Sequence, residues 1–344
     1  MFRLSRERKR EIALSKIATV FGGSGFVGRF ITQQLALEGW RVRVAVRNPN
    51  LAGFVRPYGP PGQVEPIQAN IRFDRSVQDV IAGSQAVVNC VGILAETPRQ
   101  RFDAVHAEAA ERVARLSAAA GVERLIHVSA IGASEESESR YARTKSRGEA
   151  AALERFSGAV VLRPSVVFGS EDQFFNRFAA MTRLSPVLPI VGAGIRFQPV
   201  FVGDVAAAAA KAVVDRRVAG IHELGGPDIA TFHELMQKML RIVRRRRLIV
   251  GIPRLFAMPM ATLLDVMQFA TGGLLSNGVL TRDQIRQLQY DNVVSGQTPV
   301  FEDLGIVPVS MDLILEQYLY RFRPEGQYTS IKESAEALDS DNRI

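Results

Sequence analysis

Two groups of residues in this sequence could do chemistry. Tyr141 and Lys145 stand four apart, a spacing that puts both on one face of a helix. An ammonium beside a phenol favours the tyrosinate and lowers its pKa, which suits proton transfer to a carbonyl. The lysine could also bond a nicotinamide ribose. The spacing alone is common by chance, so its meaning depends on the second group, Gly22-Gly23-Ser24-Gly25-Phe26-Val27-Gly28. A glycine-rich turn between a strand and a helix lets the backbone approach a pyrophosphate closely. It also aims free helix N–H groups and the helix dipole at that anion. Gly22, Gly25 and Gly28 follow an apolar run and open a helical pattern, which is the context that a dinucleotide-binding motif needs. Ser24, Phe26 and Val27 complete the loop.

The elements that must hold these groups can be read from periodicity. Residues 17–21 read as a first strand, followed by the glycine loop and a helix through Phe30, Leu35 and Leu37. Val42, Val44 and Val46 mark a second strand. Residues 64–69, 86–91, 125–129 and 160–163 mark four more, with helical segments between most of them. The clearest helix covers 104–120, with Gly121 as its stop. Strands alternating with helices predict an α/β fold, a Rossmann-type doubly wound parallel sheet covered on both faces. Such a sheet binds dinucleotides at the carboxyl ends of its strands. Arg47 ends the second strand, 19 residues beyond Gly28, where an acidic residue would select NAD. An arginine there can pair with a 2′-phosphate, so the expected cofactor is NADPH (NADP). Asn70 and Ile71, after the third strand, are placed for the adenine ring. Val91 and Gly92 end the fourth strand beside the cofactor crevice.

Beyond Gly169 the pattern is less regular. Pro186, Pro189, Gly192 and Gly194 mark loops. Residues 205–214 read as an alanine-rich helix and 222–224 as a short strand. Residues 231–243 read as a helix with Thr231 and Glu234 at capping-box positions. The expected organisation is a basic N-terminal arm at 1–15 and a nucleotide-binding core at 16–170. A smaller C-terminal α/β region at 171–330 interleaves with that core, and 331–344 is expected to be a disordered tail.

Composition narrows the partners. The formal charge of +8 favours anionic partners, but no helix-turn-helix, finger or aromatic RNA-binding signature points to nucleic acid. The single cysteine, Cys90, rules out an intrachain disulfide and fits a reducing compartment. The histidines His106, His127, His222 and His233 lack metal-ligand spacing, so no metal is expected. The charged first residues do not read as a secretory signal, and no run of roughly 18 apolar residues offers a membrane span. Residues 244–276 are different in kind. Arg241, Arg244, Arg245, Arg246, Arg247 and Arg254 occur without an intervening acid and lead into an apolar stretch from Leu255 through Met267. Basic residues beside a short apolar amphipathic segment suit an anionic membrane surface or an acidic protein face.

The glycine loop with the Tyr-x-x-x-Lys pair resembles the extended short-chain dehydrogenase/reductase superfamily. Residues 162–169, including Pro164, look like that family's sixth-strand exit beside the nicotinamide, and 199–205 like its return from the substrate region. Active members carry a serine or threonine at the end of strand five. Ser129 stands there in one register, Ala130 in the other, so Tyr141, Lys145 and Ser129 could survive as a cofactor clamp without efficient chemistry. Several runs are more particular: 127–133, 168–178, 198–200, 280–284, 291–295, 304–306 and 318–323. Together they resemble the nucleotide-binding accessory subunits of respiratory complex I (NADH:ubiquinone oxidoreductase), of alphaproteobacterial type. That resemblance implies a non-catalytic, NADPH-holding subunit whose partners are the other complex I subunits. It implies a peripheral position where the hydrophilic and membrane arms meet, near the quinone site. The location would be the cytoplasmic face of a bacterial inner membrane, or the matrix face in a mitochondrion. The alternative is a stand-alone NADPH-dependent reductase or epimerase that uses Tyr141 and Lys145.

Overall fold

The computed structural model describes residues 16–270 and 281–324. The arm at 1–15, Leu280, residues 271–276 of the basic-apolar segment and the tail at 331–344 lie outside the described residues.

Seven strands form the main sheet: β1 (Ile17–Phe21), β2 (Arg41–Val46), β3 (Val64–Gln68), β4 (Ala86–Asn89), β5 (Arg124–Val128), β6 (Val160–Pro164) and β11 (Gly220–Leu224). Four short strands lie between β6 and β11: β7 (Val167–Phe168), β8 (Val187–Val191), β9 (Arg196–Phe197) and β10 (Val200–Phe201). The last two are β12 (Ala230–Thr231) and β13 (Leu248–Ile252). The sheet order is β11-β6-β5-β4-β1-β2-β3, with every pairing parallel. The order reverses between β1 and β4, and that switch point opens a crevice at the carboxyl ends of the strands. The strands read as apolar on both sides because both faces are covered.

One face packs on α1 (Phe26–Leu37). Its alternate residues Val20, Val44, Val88, Ile126 and Leu162 share a cluster with Ile31 and Leu35 of that helix. The opposite face, with Phe21, Val87 and Leu125, packs on α2 (Asp74–Ile81), α3 (Glu108–Ala119) and α4 (Arg140–Arg155). Further along are α5 (Phe175–Leu184), the alanine-rich α6 (Val202–Val214) and α7 (Phe232–Ile242). The small side chains Ala208, Ala209 and Ala212 let α6 join the α1 side of the sheet. The chain after 170 therefore returns to the main sheet twice, through α6 and through β11. A second cluster joins Phe168, Phe175, Leu188, Phe232, Leu235 and Met239 to Leu315 and Leu319 of the last helix. The helices after α7 are α8 (Arg254–Ala270), α9 (Arg282–Gln287) and α10 (Met311–Leu319).

Two local features depart from periodicity. The helix expected over 104–120 begins with a π turn at Asp103–Ala107 before α3 proper. Such turns occur inside α-helices at functional positions. The stretch expected as loop around Pro186 and Pro189 contains β8, which pairs in parallel with β13 and places Pro189 opposite Val250. Pro189 is exposed on a two-stranded sheet with free edges, where a missing N–H is tolerated. Its partner lies about sixty residues away, so no local pattern announces it.

The capping box of α7 forms as its spacing predicts. Thr231 Oγ1 accepts from the Glu234 amide at 3.2 Å, and the Glu234 carboxylate accepts from the Thr231 amide at 2.8 Å. The other end of α7 is unusual. Arg244 has φ of 53°, while its amide donates to Arg241 O and that of Arg245 to Leu240 O. This is a Schellman ending with arginine where glycine is preferred. A non-glycine residue held in the left-handed region costs on the order of 1 kcal/mol. Arg244→Gly is therefore expected to raise the stability of the chain by about 1 kcal/mol in urea unfolding, through relief of that backbone strain. Unchanged or lowered stability would show that the arginine side chain repays the strain within the fold.

Candidate functional site

The glycine loop lies at the switch point between β1 and β4. Gly22 has φ of +74°, which favours glycine, and its amide donates to Ala45 O at 3.0 Å on the neighbouring strand. Gly25 is the N-cap of α1, without a side-chain cap. The first amides of that helix thus face the crevice as a ready anion site. Gly28 is needed for close packing, since a Cβ there would stand 2.2 Å from Gly22 O and 2.8 Å from Gly23 Cα. Within the loop, Val27 packs against the core, Phe26 meets Phe30 edge to face, and Ser24 offers its carbonyl to Arg29 at 3.2 Å.

At one end of the crevice Arg47 is exposed just beyond β2. It lines a cavity of about 480 Å³ with Gln68, Ala69, Asn70, Phe73, Arg75, Ser76 and Asp79. Asn70 is held in place, because its amide donates to Ser76 Oγ and its Oδ1 accepts from the Arg72 amide. Ile71, also expected at the adenine, is buried in the core cluster under α2 and α3 and is not in the cavity wall.

At the other end, six expected residues converge: Gly22, Val91, Gly92, Ser129, Lys145 and Pro164. A Cβ on Gly92 would lie 3.4 Å from Lys145 Nζ, and Gly22 packs against Cys90 and Val91. Lys145 donates to Val128 O at 3.1 Å. Ser129 follows directly, bonded through its amide to Leu162 O of β6 at 2.7 Å, while the Pro164 carbonyl accepts from the Ile131 amide at 3.0 Å. Ser129 Oγ is buried with no hydrogen-bond partner among the described residues, whereas Ala130 is half-buried. The hydroxyl-bearing residue of the two is thus Ser129, on the same strand face as His127 and next to the backbone that Lys145 bonds.

The electrostatics correct one expectation. Lys145 was expected to lower the pKa of Tyr141, but the phenol is pushed up to about 12, by burial first and by the Asp283 carboxylate second. Burial also draws Lys145 down to about 8 against the opposing pull of Glu149. Desolvation of both groups outweighs their mutual effect. Asp283 comes from α9. Its carboxylate accepts from Ser139 Oγ at 2.7 Å, the Arg140 amide at 2.7 Å and the Tyr141 amide at 3.1 Å. A C-terminal segment thereby caps the very helix that carries Tyr141 and Lys145. No sequence spacing points to this contact, since the partners are more than 140 residues apart.

Two histidines complete the interior. His106 sits in the π turn and accepts the Ile93 amide at Nε2, 3.1 Å, so its Nδ1–H donates to Thr144 Oγ1, also 3.1 Å. His127 on β5 faces Asn89 Nδ2 through Nδ1 at 3.2 Å. Asn89 Oδ1 accepts the Val91 amide, which fixes the amide group and leaves the His127 proton on Nε2. Burial holds His106 down at about 2 and His127 at about 3, with Lys145 the next cause in both. Sequence reasoning set these histidines aside because their spacing fits no metal. It also passed over Arg29, whose guanidinium lies over the Phe54 ring and 3.7 Å from Glu171. Arg29 stands directly after Gly28, and that adjacency was the available signal.

The arrangement can hold a dinucleotide along the strand ends: pyrophosphate at the glycine loop, adenosine near Arg47 and Asn70, and nicotinamide ribose near Lys145. The chain is similar to several known proteins. The profile of the NAD(P)H-binding family matches residues 22–161. The chain is 35% identical over 316 residues to NADH dehydrogenase (ubiquinone) 1 alpha subcomplex subunit 9, mitochondrial, of Arabidopsis thaliana, spanning 90% of this chain and 79% of that protein. It is 27% identical over 302 residues to a ceramide reductase of Caulobacter vibrioides, spanning 87% of this chain and 91% of that one. The fold also superposes on an NADPH-dependent quinone oxidoreductase of Escherichia coli, complexed with NADPH. There the TM-score is 0.65 at 16% identity, covering 88% of this chain and 98% of the other.

Proposed function

We propose, from the premise that this chain belongs to the family of the mitochondrial NADH dehydrogenase (ubiquinone) 1 alpha subcomplex subunit 9, that it is an accessory subunit of respiratory complex I. In this role it holds NADP(H) as a structural cofactor and does not turn it over. The family relationship over 90% of the chain carries the assignment. Burial first and the Asp283 carboxylate second raise the Tyr141 pKa, which makes its tyrosinate harder to form. Tyr141, Lys145 and Ser129 then serve as a clamp for the nicotinamide end. Arg47, which lines the cavity beyond β2, supports NADP(H) over NAD(H), since a guanidinium can pair with a 2′-phosphate. A bound nucleotide would supply stabilisation by mass action and fixed negative charge at the loop.

The segment from Arg241 to Leu263 is the surface that we assign to the membrane side of the complex. Leu255, Phe256, Met260 and Leu263 of α8 are exposed, as are Leu248 and Val250 of β13. They adjoin the arginine run of Arg241 and Arg244 to Arg247. Among the described residues no helix is long and apolar enough to cross a membrane; in this reading the contact is peripheral. The surface suits the anionic cytoplasmic leaflet of a bacterial inner membrane, or the matrix leaflet in a mitochondrion. Junction of the two arms, near the quinone site, is the position that this assignment gives it.

Deleting the gene in its host is expected to lower both assembled complex I on native gels and the NADH:ubiquinone activity of membranes. Normal assembly and activity would overturn the assignment. The second reading, a reductase acting on its own, is favoured by the intact Ser129, Tyr141 and Lys145 and by the ceramide reductase relative. It predicts NADPH oxidation by the isolated chain that Tyr141→Phe abolishes.

A further inference from the structure

We infer that Arg75 is a second phosphate-binding arginine, which pairs with Arg47 to select a 2′-phosphorylated adenosine in the cavity beyond β2 and β3. The inference rests on the assignment of NADP(H) to this site and adds a specificity residue to it.

Two arginines from different elements line the cavity. Arg47 comes from the end of β2 and Arg75 from the first turn of α2. The other cations nearby are engaged. Arg112 and Arg115 share the Asp74 carboxylate, at 2.5 and 2.9 Å. Arg72 donates to Asn70 Oδ1 and to the Arg99 carbonyl. Neither Arg47 nor Arg75 forms an ion pair among the described residues, although Asp79 stands one turn along α2 from Arg75 and lines the same cavity. Two like charges brought to one concave wall repel each other unless an anion lies between them. A phosphate monoester with a charge of about −1.5 to −2 at neutral pH meets that need, and guanidinium forks match its oxygens. Phe73, 60% exposed, lies in the same wall and offers an apolar face to a base. Asp79 carries the one negative charge on the wall, so the pocket has a net positive balance rather than a uniform one. A nucleotide without the 2′-phosphate would leave both arginines unneutralised. Arg75 is invisible to the usual strand-end rule, because it belongs to the next helix rather than to the end of the second strand.

The test is the affinity of the full chain for NADPH and for NADH, measured by nucleotide fluorescence at fixed ionic strength. Arg75 is exposed, and a melting curve checks that each variant folds. Arg75→Ala is expected to weaken NADPH binding about tenfold and leave NADH binding unchanged, with Arg75→Lys intermediate. The salt dependence of NADPH binding should also become shallower. If the native chain prefers NADPH and Arg75→Ala keeps that preference, the role of Arg75 is overturned while the cofactor assignment stands. If the native chain binds both nucleotides equally, the cofactor assignment falls and this inference with it. Equal weakening for both nucleotides would also overturn it, since Arg75 would then contact the shared part of the molecule.

Discussion

Gly28→Val is expected to abolish nucleotide binding, with NADPH affinity reduced at least about 100-fold, equivalent to about 3 kcal/mol. The reason is geometric. A Cβ at this position would meet backbone on two sides, Gly22 O at 2.2 Å and Gly23 Cα at 2.8 Å. Neither is the tip of a flexible side chain, so the β1–α1 turn itself must open. Opening the turn moves the helix amides away from the pyrophosphate. It also separates Gly22 from Val91, and so loosens the crevice wall. Gly25→Ala provides the contrast, because the nearest atom to its Cβ is Gly22 O at 3.1 Å. That variant should keep the fold and lose less affinity than Gly28→Val, the loss coming from a methyl where the pyrophosphate approaches the backbone. Isothermal titration with NADPH checks both, and native-like affinity in Gly28→Val would mean that the loop does not hold the phosphates. Loss of the bound nucleotide should also lower the melting temperature, since a ligand that binds only the folded state adds to stability.

The second large effect concerns acid. His106 is 1% exposed and His127 is 2% exposed, and burial holds them at about 2 and about 3, well below the ordinary histidine value of 6.5. Both are neutral in the folded chain at pH 4, while both are protonated in the unfolded chain. The unfolded state therefore binds two more protons, and stability falls as pH falls below about 6.5. Each such group contributes about 1.4 kcal/mol per pH unit, so the pair removes about 5 kcal/mol between pH 6 and pH 4. The window closes near the folded-state values, around pH 3 and 2. Lys145 works in the same direction at higher pH. Its folded value of about 8 lies below its ordinary 10.5, so its burial disfavours folding below pH 8 and that penalty is relieved as pH rises to 10.5. Urea midpoints from pH 4 to 7 would measure the histidine slope. His127→Asn should reduce it by about half, and an unaltered slope in that variant would place the proton uptake elsewhere.

These residues also show what sequence could and could not reveal. The glycine loop, the first six strands and the Tyr141–Lys145 face were legible because each depends on local periodicity or on a short motif. Residues 17–21 and Val42, Val44 and Val46 fall in β1 and β2, and the capping box at Thr231 forms as spaced. The parallel pairing of the sheet follows from strands alternating with helices. What stayed hidden depends on contacts between distant parts of the chain. Asp283 reaches the start of α4 across more than 140 residues, and no motif links them. The β8–β13 pair joins residues about sixty apart through an exposed proline. The raised pKa of Tyr141 could not be inferred from its neighbour, because burial is a property of the packed structure. Ile71 was assigned to the cofactor from its position after β3, but side-chain direction sends it into the core. Arg75 was missed because reading by strand ends does not look one helix further.

The proposed role gives the exposed apolar face of α8 a use within a larger assembly. On an isolated enzyme, contiguous exposed Leu255, Phe256, Met260 and Leu263 beside a run of arginines would be a liability for solubility. On a subunit that sits against a membrane arm they are the contact. The two functional readings thus differ most in the company the protein keeps, and less in the chemistry of its crevice.

The most direct measurement is isolation of the native protein from gently solubilised membranes, with identification of every co-purifying chain and of the extracted nucleotide. The account predicts the other subunits of complex I in constant proportion to this chain, with NADPH or NADP released on denaturation. Recovery of the chain alone, while complex I purifies separately with its full activity and without it, would contradict the account.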